Sequence, residues 1–240
     1  MRILPGPAHR TPSAGAQRVL KACVFVLCLV PALRLAAWAG MGRLGANPIE
    51  TITRSTGWWA LAMLVLTLSV TPVRRLLGSP WLLRLRRMLG LYAFAYGTVH
   101  FGIYLWLDQF FDWGEILKDI AKRPFITVGF AALLAMAPLA VTSTAAMVRR
   151  LGAKRWLALH RLVYLVAILG AVHFLWLVKR DVTEPVIFLG LFSVLLGARA
   201  VFLRRDAADA KARALSQTSS SDRSAWRRLS TPASSSGGKP

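Results

Sequence analysis

Hydrophobic positions along this 240-residue chain gather into six long runs, at 19–39, 56–73, 88–107, 124–147, 156–178 and 184–203, with short polar and basic blocks between them. A helix needs about 20 apolar residues to cross a bilayer, so the pattern predicts six transmembrane helices. Tryptophans near the ends of the runs (Trp38, Trp58, Trp59, Trp106, Trp156 and Trp176) stand where interfacial anchors belong. Pro31 and Pro138 fall inside runs, where neighbouring helices can satisfy the carbonyls that proline frees. The first run is followed by more spans and reads as an anchor, not a cleaved leader. Both ends are rich in Ser, Ala, Pro and charge. The expected organisation is a disordered arm at 1–17, a six-helix membrane domain at 18–203 and a disordered basic tail at 204–240.

Composition agrees: the chain is 55% hydrophobic, which places it in the membrane class. A net charge of +21 would ordinarily suggest a nucleic-acid partner. Here the charge is parcelled into blocks between apolar runs, so a lipid bilayer is the expected surroundings and no nucleic acid is expected. The blocks also orient the bundle. Basic residues crowd the N-terminal arm, the loop with Arg74, Arg75, Arg84, Arg86 and Arg87, the loop with Arg149, Arg150, Lys154 and Arg155, and the tail. The alternate loops carry few, and hold Asp108, Asp112, Glu115 and Asp119 besides. By the positive-inside rule both termini are cytoplasmic. Cys23 and Cys28 lie together in one apolar run with no metal or redox spacing and read as inert core residues.

Three of the four histidines lie in spans: His100 in the third, His160 and His173 in the fifth. His9 belongs to the N-terminal arm and carries no prediction. An intramembrane imidazole is costly and marks a functional site by default. One reading is an interhelical hydrogen bond. The other is axial ligation of a haem iron by facing helices, and three histidines in two spans favour it. Depth selects the pair. At about 1.5 Å of rise per residue, His100 is nearer in height to His173 than to His160, in the outer half of the bilayer. Gly97 and Gly170 each precede one of these two histidines by three residues, leaving room for a flat macrocycle. Thirteen residues turn a regular helix through about 220°, so His160 and His173 do not share a strict face: any second cofactor is displaced around the helix, or the helix is distorted at Gly170. His160 has Arg161 beside it, and Arg86 and Arg87 lie at its depth in the third span. Arginines pair with propionates or phosphate. That end suits either a haem with a weak or non-protein second ligand or an anionic flavin, unless the arginines are plain loop charge.

Several stretches carry a resemblance: "NPIETITRSTGWWAL" (47–61), "RRMLGLYAFAYGTVHFGIYLWLD" (86–108), "KRPFITVG" (122–129), "VTSTAAMVRRLGAKRWLALHRLVYL" (141–165) and "HFLWLVK" (173–179). Together they resemble the ferric reductase-like transmembrane superfamily. More closely, they resemble the MsrQ (YedZ) family, the haem-binding membrane subunits of the bacterial protein-methionine-sulfoxide reductase system. The resemblance implies haem b, with His100, His173 and His160 as haem-associated histidines, and FMN, with Arg86 and Arg87 at the inner cofactor end. It implies a bacterial inner-membrane subunit that draws electrons from quinones or a cytoplasmic flavin reductase. The recipient would be a periplasmic molybdopterin-containing methionine sulfoxide reductase subunit, in repair of oxidised proteins. One of the superfamily's four histidines is absent, which puts a full second bis-histidine haem in doubt. After residue 203 only a polar tail remains, so the chain is expected not to oxidise NAD(P)H on a domain of its own.

Two other functions stay open on the residues: a stand-alone ferric or quinone reductase of this fold, and a non-redox scaffold or transporter whose histidines bridge helices. The loop "DQFFDWGEILKDIAKRP" is expected to be either a docking surface for a periplasmic partner or a solvated interfacial helix.

Overall fold

The structure, a computed structural model, describes residues 12–229. The regular elements are helical throughout: α1 (Ala14–Gly40), α2 (Pro48–Leu77), α3 (Leu83–Ile103), α4 (Trp113–Lys122), α5 (Pro124–Val141), α6 (Ala145–Leu151), α7 (Ala153–Leu159), α8 (Leu162–Leu177) and α9 (Thr183–Leu229). Pro80–Leu82 forms a 3-10 turn leading into α3, and Tyr104–Asp108 forms a π turn at its end. Six segments are long and apolar enough to span a bilayer: Ala14–Gly40, Pro48–Leu77, Pro80–Asp108, Pro124–Val141, Ala153–Leu177 and Thr183–Arg213. The expected all-α, six-span architecture is therefore present, and the chain is a multi-pass membrane protein. It divides into two compact units, one ending at Leu196 and one beginning at Gly197. The functional residues lie in the first.

Local chemistry sets the helix ends. Asn47 accepts the Glu50 N–H at 3.2 Å and Pro48 opens α2, so the donors of the first turn are partly satisfied or absent. Arg74 and Arg75 sit in its last turn, and Gly78 terminates it with φ of 61°, a left-handed conformation that suits glycine. Pro31 interrupts α1, and Tyr96 of α3 fills the place. Its hydroxyl donates to the Cys28 carbonyl at 2.8 Å and accepts the Ala32 N–H at 3.2 Å, entering the helix's own hydrogen-bond ladder.

The core has two helix pairs. α2 runs along α3, α5 runs along α8, and contacts of α3 with α5 and of α2 with α8 join the pairs. α1 packs on α2 and α3. In lipid there is no hydrophobic drive between apolar helices, so close approach depends on small side chains. Ala93, Ala167 and Ala171 are the buried residues that permit it. Phe188 of α9 meets Trp58 and Phe174 at ring-centre distances of 5.6 and 6.0 Å, closing the core on that side. Many large apolar residues point outward instead, among them Leu27, Leu33, Leu134 and Val194, as a lipid-facing surface requires.

Several boundaries differ from expectation. The fourth span stops at Val141, not residue 147: Pro138 weakens its last turn, and Thr144 caps a separate helix, α6, by accepting the Met147 N–H. The fifth span is not one regular helix, because it breaks into α7 and α8 at His160 and Arg161, not at Gly170. At the ends, Ser13 caps α1, so residues 14–17 are helical instead of disordered. α9 continues past residue 203 to Leu229, through a stretch rich in the helix formers Ala and Arg and free of Gly and Pro. Residues 1–11, with His9, and 230–240 lie outside the described residues.

The loop after the third span folds as α4. Asp112 caps it by accepting the N–H groups of Gly114 and Glu115. Ile116 and Asp119 face inward, while Trp113, Leu117, Phe110 and Phe111 are exposed.

Candidate functional site

His100 projects from α3 and His173 from α8, and their ring centres stand 6.2 Å apart with the planes 77° from parallel. Each ring is fixed from behind by a backbone carbonyl. His100 Nδ1 lies 2.9 Å from the Thr53 carbonyl oxygen of α2, and His173 Nδ1 lies 2.7 Å from that of Phe125 in α5. A carbonyl can only accept, so each Nδ1 carries the proton and donates it. That assignment leaves Nε2 of both rings as an unprotonated lone pair, the form in which imidazole binds a metal.

Two glycines make this seating possible. A Cβ on Gly57 would stand 3.0 Å from His100 Cε1, and a Cβ on Gly129 only 2.6 Å from His173 Nδ1. The Nδ1–Cε1 edge of each imidazole therefore comes up against bare backbone of the neighbouring helix, where a side chain would crowd it. Sequence reasoning misses Gly57, Gly129, Thr53 and Phe125. The one signal available is a glycine near the middle or start of an otherwise large-residue span. Gly97 and Gly170, expected to make room beside the ligands, both border the cavity, but Gly97 is under little pressure: a Cβ there would meet Leu133 at an ordinary 3.6 Å. At Gly170 a Cβ would approach Leu61 to 2.9 Å, so this glycine also lets α8 close on α2.

Both histidines border a cavity of about 380 Å³ walled by α2, α3, α5 and α8, within the range of about 300–1,000 Å³ typical of cofactor and ligand sites. The fit to haem can be tested on distance. Two imidazoles on one iron stand about 6 Å apart between ring centres, from a metal–nitrogen bond of about 2 Å and about 1 Å from nitrogen to ring centre on each side. The observed 6.2 Å meets that requirement. A bare metal ion is less well served: among the described residues, no three His, Cys, Asp or Glu side chains converge as a ligand set.

His160 is held differently. Its ring stacks on Trp156 with centres 3.9 Å apart, and Nε2 lies 3.1 Å from Thr142 Oγ1. Thr142 spends its own hydroxyl proton on the Pro138 carbonyl at 2.6 Å, so the imidazole must be the donor. Nε2 of His160 thus carries a proton and is engaged. The Trp156 indole N–H closes the group by donating to the Thr142 carbonyl at 2.9 Å. Arg86 and Arg87 stand in the first turns of α3, near enough for their charge to reach this imidazole. Arg161 is exposed at the helix break. His160, Arg86, Arg87 and Arg161 do not border the cavity that holds His100 and His173.

Comparison with known proteins points the same way. Residues 56–171 match the family described as ferric reductase like transmembrane component. Among curated relatives, the protein-methionine-sulfoxide reductase heme-binding subunit MsrQ of Azospira oryzae is 56% identical over 191 residues, covering 79% of this chain and 82% of the relative. The protein of the same description from Ralstonia nicotianae is 54% identical over 192 residues, 79% of this chain and 88% of the relative. That from Herminiimonas arsenicoxydans is 53% identical over 190 residues, 78% and 87%.

Proposed function

The chain belongs to the MsrQ family, the heme-binding subunits of protein-methionine-sulfoxide reductase, and from that premise we propose that it is a transmembrane electron carrier holding a b-type haem between His100 and His173. The observation that carries the reading is the matched pair of imidazoles, each with Nδ1 committed to a carbonyl and their centres 6.2 Å apart across one cavity. When bound, such a group supplies a one-electron couple within the low-dielectric part of the bilayer. The protein's own part is positional. Thr53 and Phe125 fix the tautomer and orientation of the ligand rings, Gly57 and Gly129 let those rings sit back against the backbone, and apolar residues such as Leu64, Leu133 and Val166 keep water from the site.

In this reading the chain lies in a bacterial inner membrane with both termini cytoplasmic. That orientation puts the α6–α7 end, with Arg86, Arg87, His160 and Arg161, on the cytoplasmic side. The cluster of cationic and aromatic groups there suits the anionic FMN, or the approach of a quinone or a cytoplasmic flavin reductase as donor. The α4 face lies on the periplasmic side and receives a molybdopterin-containing methionine sulfoxide reductase of the MsrP type. Its exposed Trp113 and Leu117 beside Glu115 and Lys118 have the mix of aromatic anchor and charge that docking surfaces use.

The test is pigment analysis of the purified chain, followed by reconstitution. Expected are a low-spin bis-imidazole haem spectrum, extractable FMN, reduction by a quinol or by a flavin reductase, and reoxidation when the sulfoxide reductase and a methionine sulfoxide are added. A preparation that stays colourless with ample haem supply removes the electron-carrier reading. Ferric chelates reduced without any partner, at the rate seen with it, would identify a stand-alone reductase instead.

A further inference from the structure

The cavity is polar at one end only. Arg54, Tyr104, Asp108 and Arg123 border it toward α4, whereas Leu64, Leu133, Met136 and Val166 border its other part. Along α2, Leu64 lies about 15 Å beyond Arg54, and along α5, Met136 lies about 20 Å beyond Arg123. The space therefore suits a molecule that is apolar over most of its extent and anionic along one edge.

The two arginines are placed symmetrically about the ligand histidines. Arg54 directly follows Thr53, whose carbonyl holds His100. Arg123 stands two residues before Phe125, whose carbonyl holds His173. They enter the cavity from different helix pairs, one on the α2 side and one at the start of α5. We propose that Arg54 and Arg123 form a clamp for the two propionate carboxylates of the porphyrin, fixing it with its carboxylate edge toward α4 and its apolar edge toward Met136 and Val166. This rests on the haem reading of the cavity.

The acidic groups nearby fit that role. Arg54 meets Glu50, and Arg123 meets Asp119, each through Nε at 3.1 Å. A guanidinium has five N–H donors in a planar fork, so each retains donors for a second carboxylate. The Arg54–Glu50 pair is exposed on both sides and exchanges readily for a better-placed anion. Asp119 is buried and also receives the Tyr104 hydroxyl at 3.3 Å and the Gln109 amide at 3.4 Å. With those further donors it positions Arg123 at the mouth of the cavity. Asp108, the remaining acid on this rim, takes the Gln109 amide at 3.2 Å.

The test uses the full-length protein, stripped and refilled either with protohaem or with its dimethyl ester, which keeps ring and iron and lacks both negative charges. Loss of each pigment to excess apomyoglobin is followed by absorbance. The clamp predicts that wild type loses the ester about tenfold faster than protohaem, the scale of one or two charge-assisted hydrogen bonds; failure of the ester to refill at all is the extreme of that result. In R54Q/R123Q the protohaem rate should rise to about that of the ester, with the low-spin spectrum retained and the ester rate unchanged. R54K/R123K should recover part of the difference. Equal loss of the two pigments from wild type overturns the clamp, and so does a Gln variant that holds protohaem as wild type does. The wild-type comparison decides even if the variants fail to fold. Absence of a bis-imidazole spectrum in refilled wild type would instead bring down the haem reading itself.

Discussion

The two ends of the membrane domain put the same side chain to different uses. Toward α4, His100 and His173 turn Nδ1 to backbone carbonyls, rest on glycines and face each other across a cavity. Toward α6 and α7, His160 spends Nε2 on Thr142 and stacks on Trp156. All three come from apolar spans, so a place in such a span does not make a ligand. What separates them is which nitrogen the surroundings consume. A carbonyl behind Nδ1 prepares Nε2 for a metal, whereas a hydroxyl in front of Nε2 satisfies the ring within the protein.

The largest consequence concerns the histidines themselves. If the two rings hold a haem, His100→Ala and His173→Ala should each abolish the low-spin bis-imidazole spectrum, because either would leave a single imidazole of the pair. His160→Ala should keep that spectrum. Absorption and electron paramagnetic resonance of the purified variants check it, and survival of the bis-imidazole signal without His100 or His173 would falsify the pairing. Loss of the signal in His160→Ala would show that the two ends are not independent.

A second, smaller effect tests the seats. Gly129→Ala places a Cβ 2.6 Å from His173 Nδ1, and Gly57→Ala places one 3.0 Å from the His100 ring. Overpacking of this kind costs about 1–3 kcal/mol, and here it displaces an imidazole of the pair. Gly129→Ala is expected to lower the haem bound per chain several-fold, with Gly57→Ala milder because the Cβ approach is less severe. Gly97→Ala makes only ordinary contact with the protein, at 3.6 Å from Leu133, so any haem it loses reports on the cavity volume alone. Pyridine haemochrome assays across the three variants give the ranking, and a Gly129→Ala protein with full haem would remove the seat argument.

Much of the α4 end is legible in the amino-acid sequence. Six apolar runs correspond to six spans, and counting helical rise from the ends of two of them puts His100 near the height of His173. Depth is a property of one helix and can be counted along it. What stands behind an imidazole belongs to a different helix, and no count along α3 reveals that α2 offers Gly57 and the Thr53 carbonyl. The same limit applies to the glycines: Gly97 and Gly170 draw notice because they share helices with His100 and His173, while Gly57 and Gly129, which touch the rings, do not. The break at His160 is hidden for a related reason. No proline or glycine interrupts 153–169, and the distortion goes with contacts to Thr142 across the bundle. Hydropathy likewise does not see that α5 stops at Val141, because Thr142 and Ser143 satisfy their hydroxyls on carbonyls of the preceding turn.

The smallest effect tests the α6–α7 end on its own terms. Thr142→Val keeps the shape of the side chain and removes the oxygen that His160 Nε2 meets at 3.1 Å. Interhelical hydrogen bonds in membranes contribute about 0.6 kcal/mol on average and about 1.7 kcal/mol at most, so the variant should fold, with its thermal midpoint in detergent lowered by a few degrees. Thr142→Ser, which retains the hydroxyl, should recover most of the loss. Because Thr142 touches neither His100 nor His173, the bis-imidazole spectrum and the rate of haem loss should match wild type in both variants. The two readouts separate a fastening from a ligand site. Stability that falls while the spectrum holds marks His160 as tied into the protein by Thr142, and a spectrum that changes with Thr142 would make His160 part of the iron's surroundings after all.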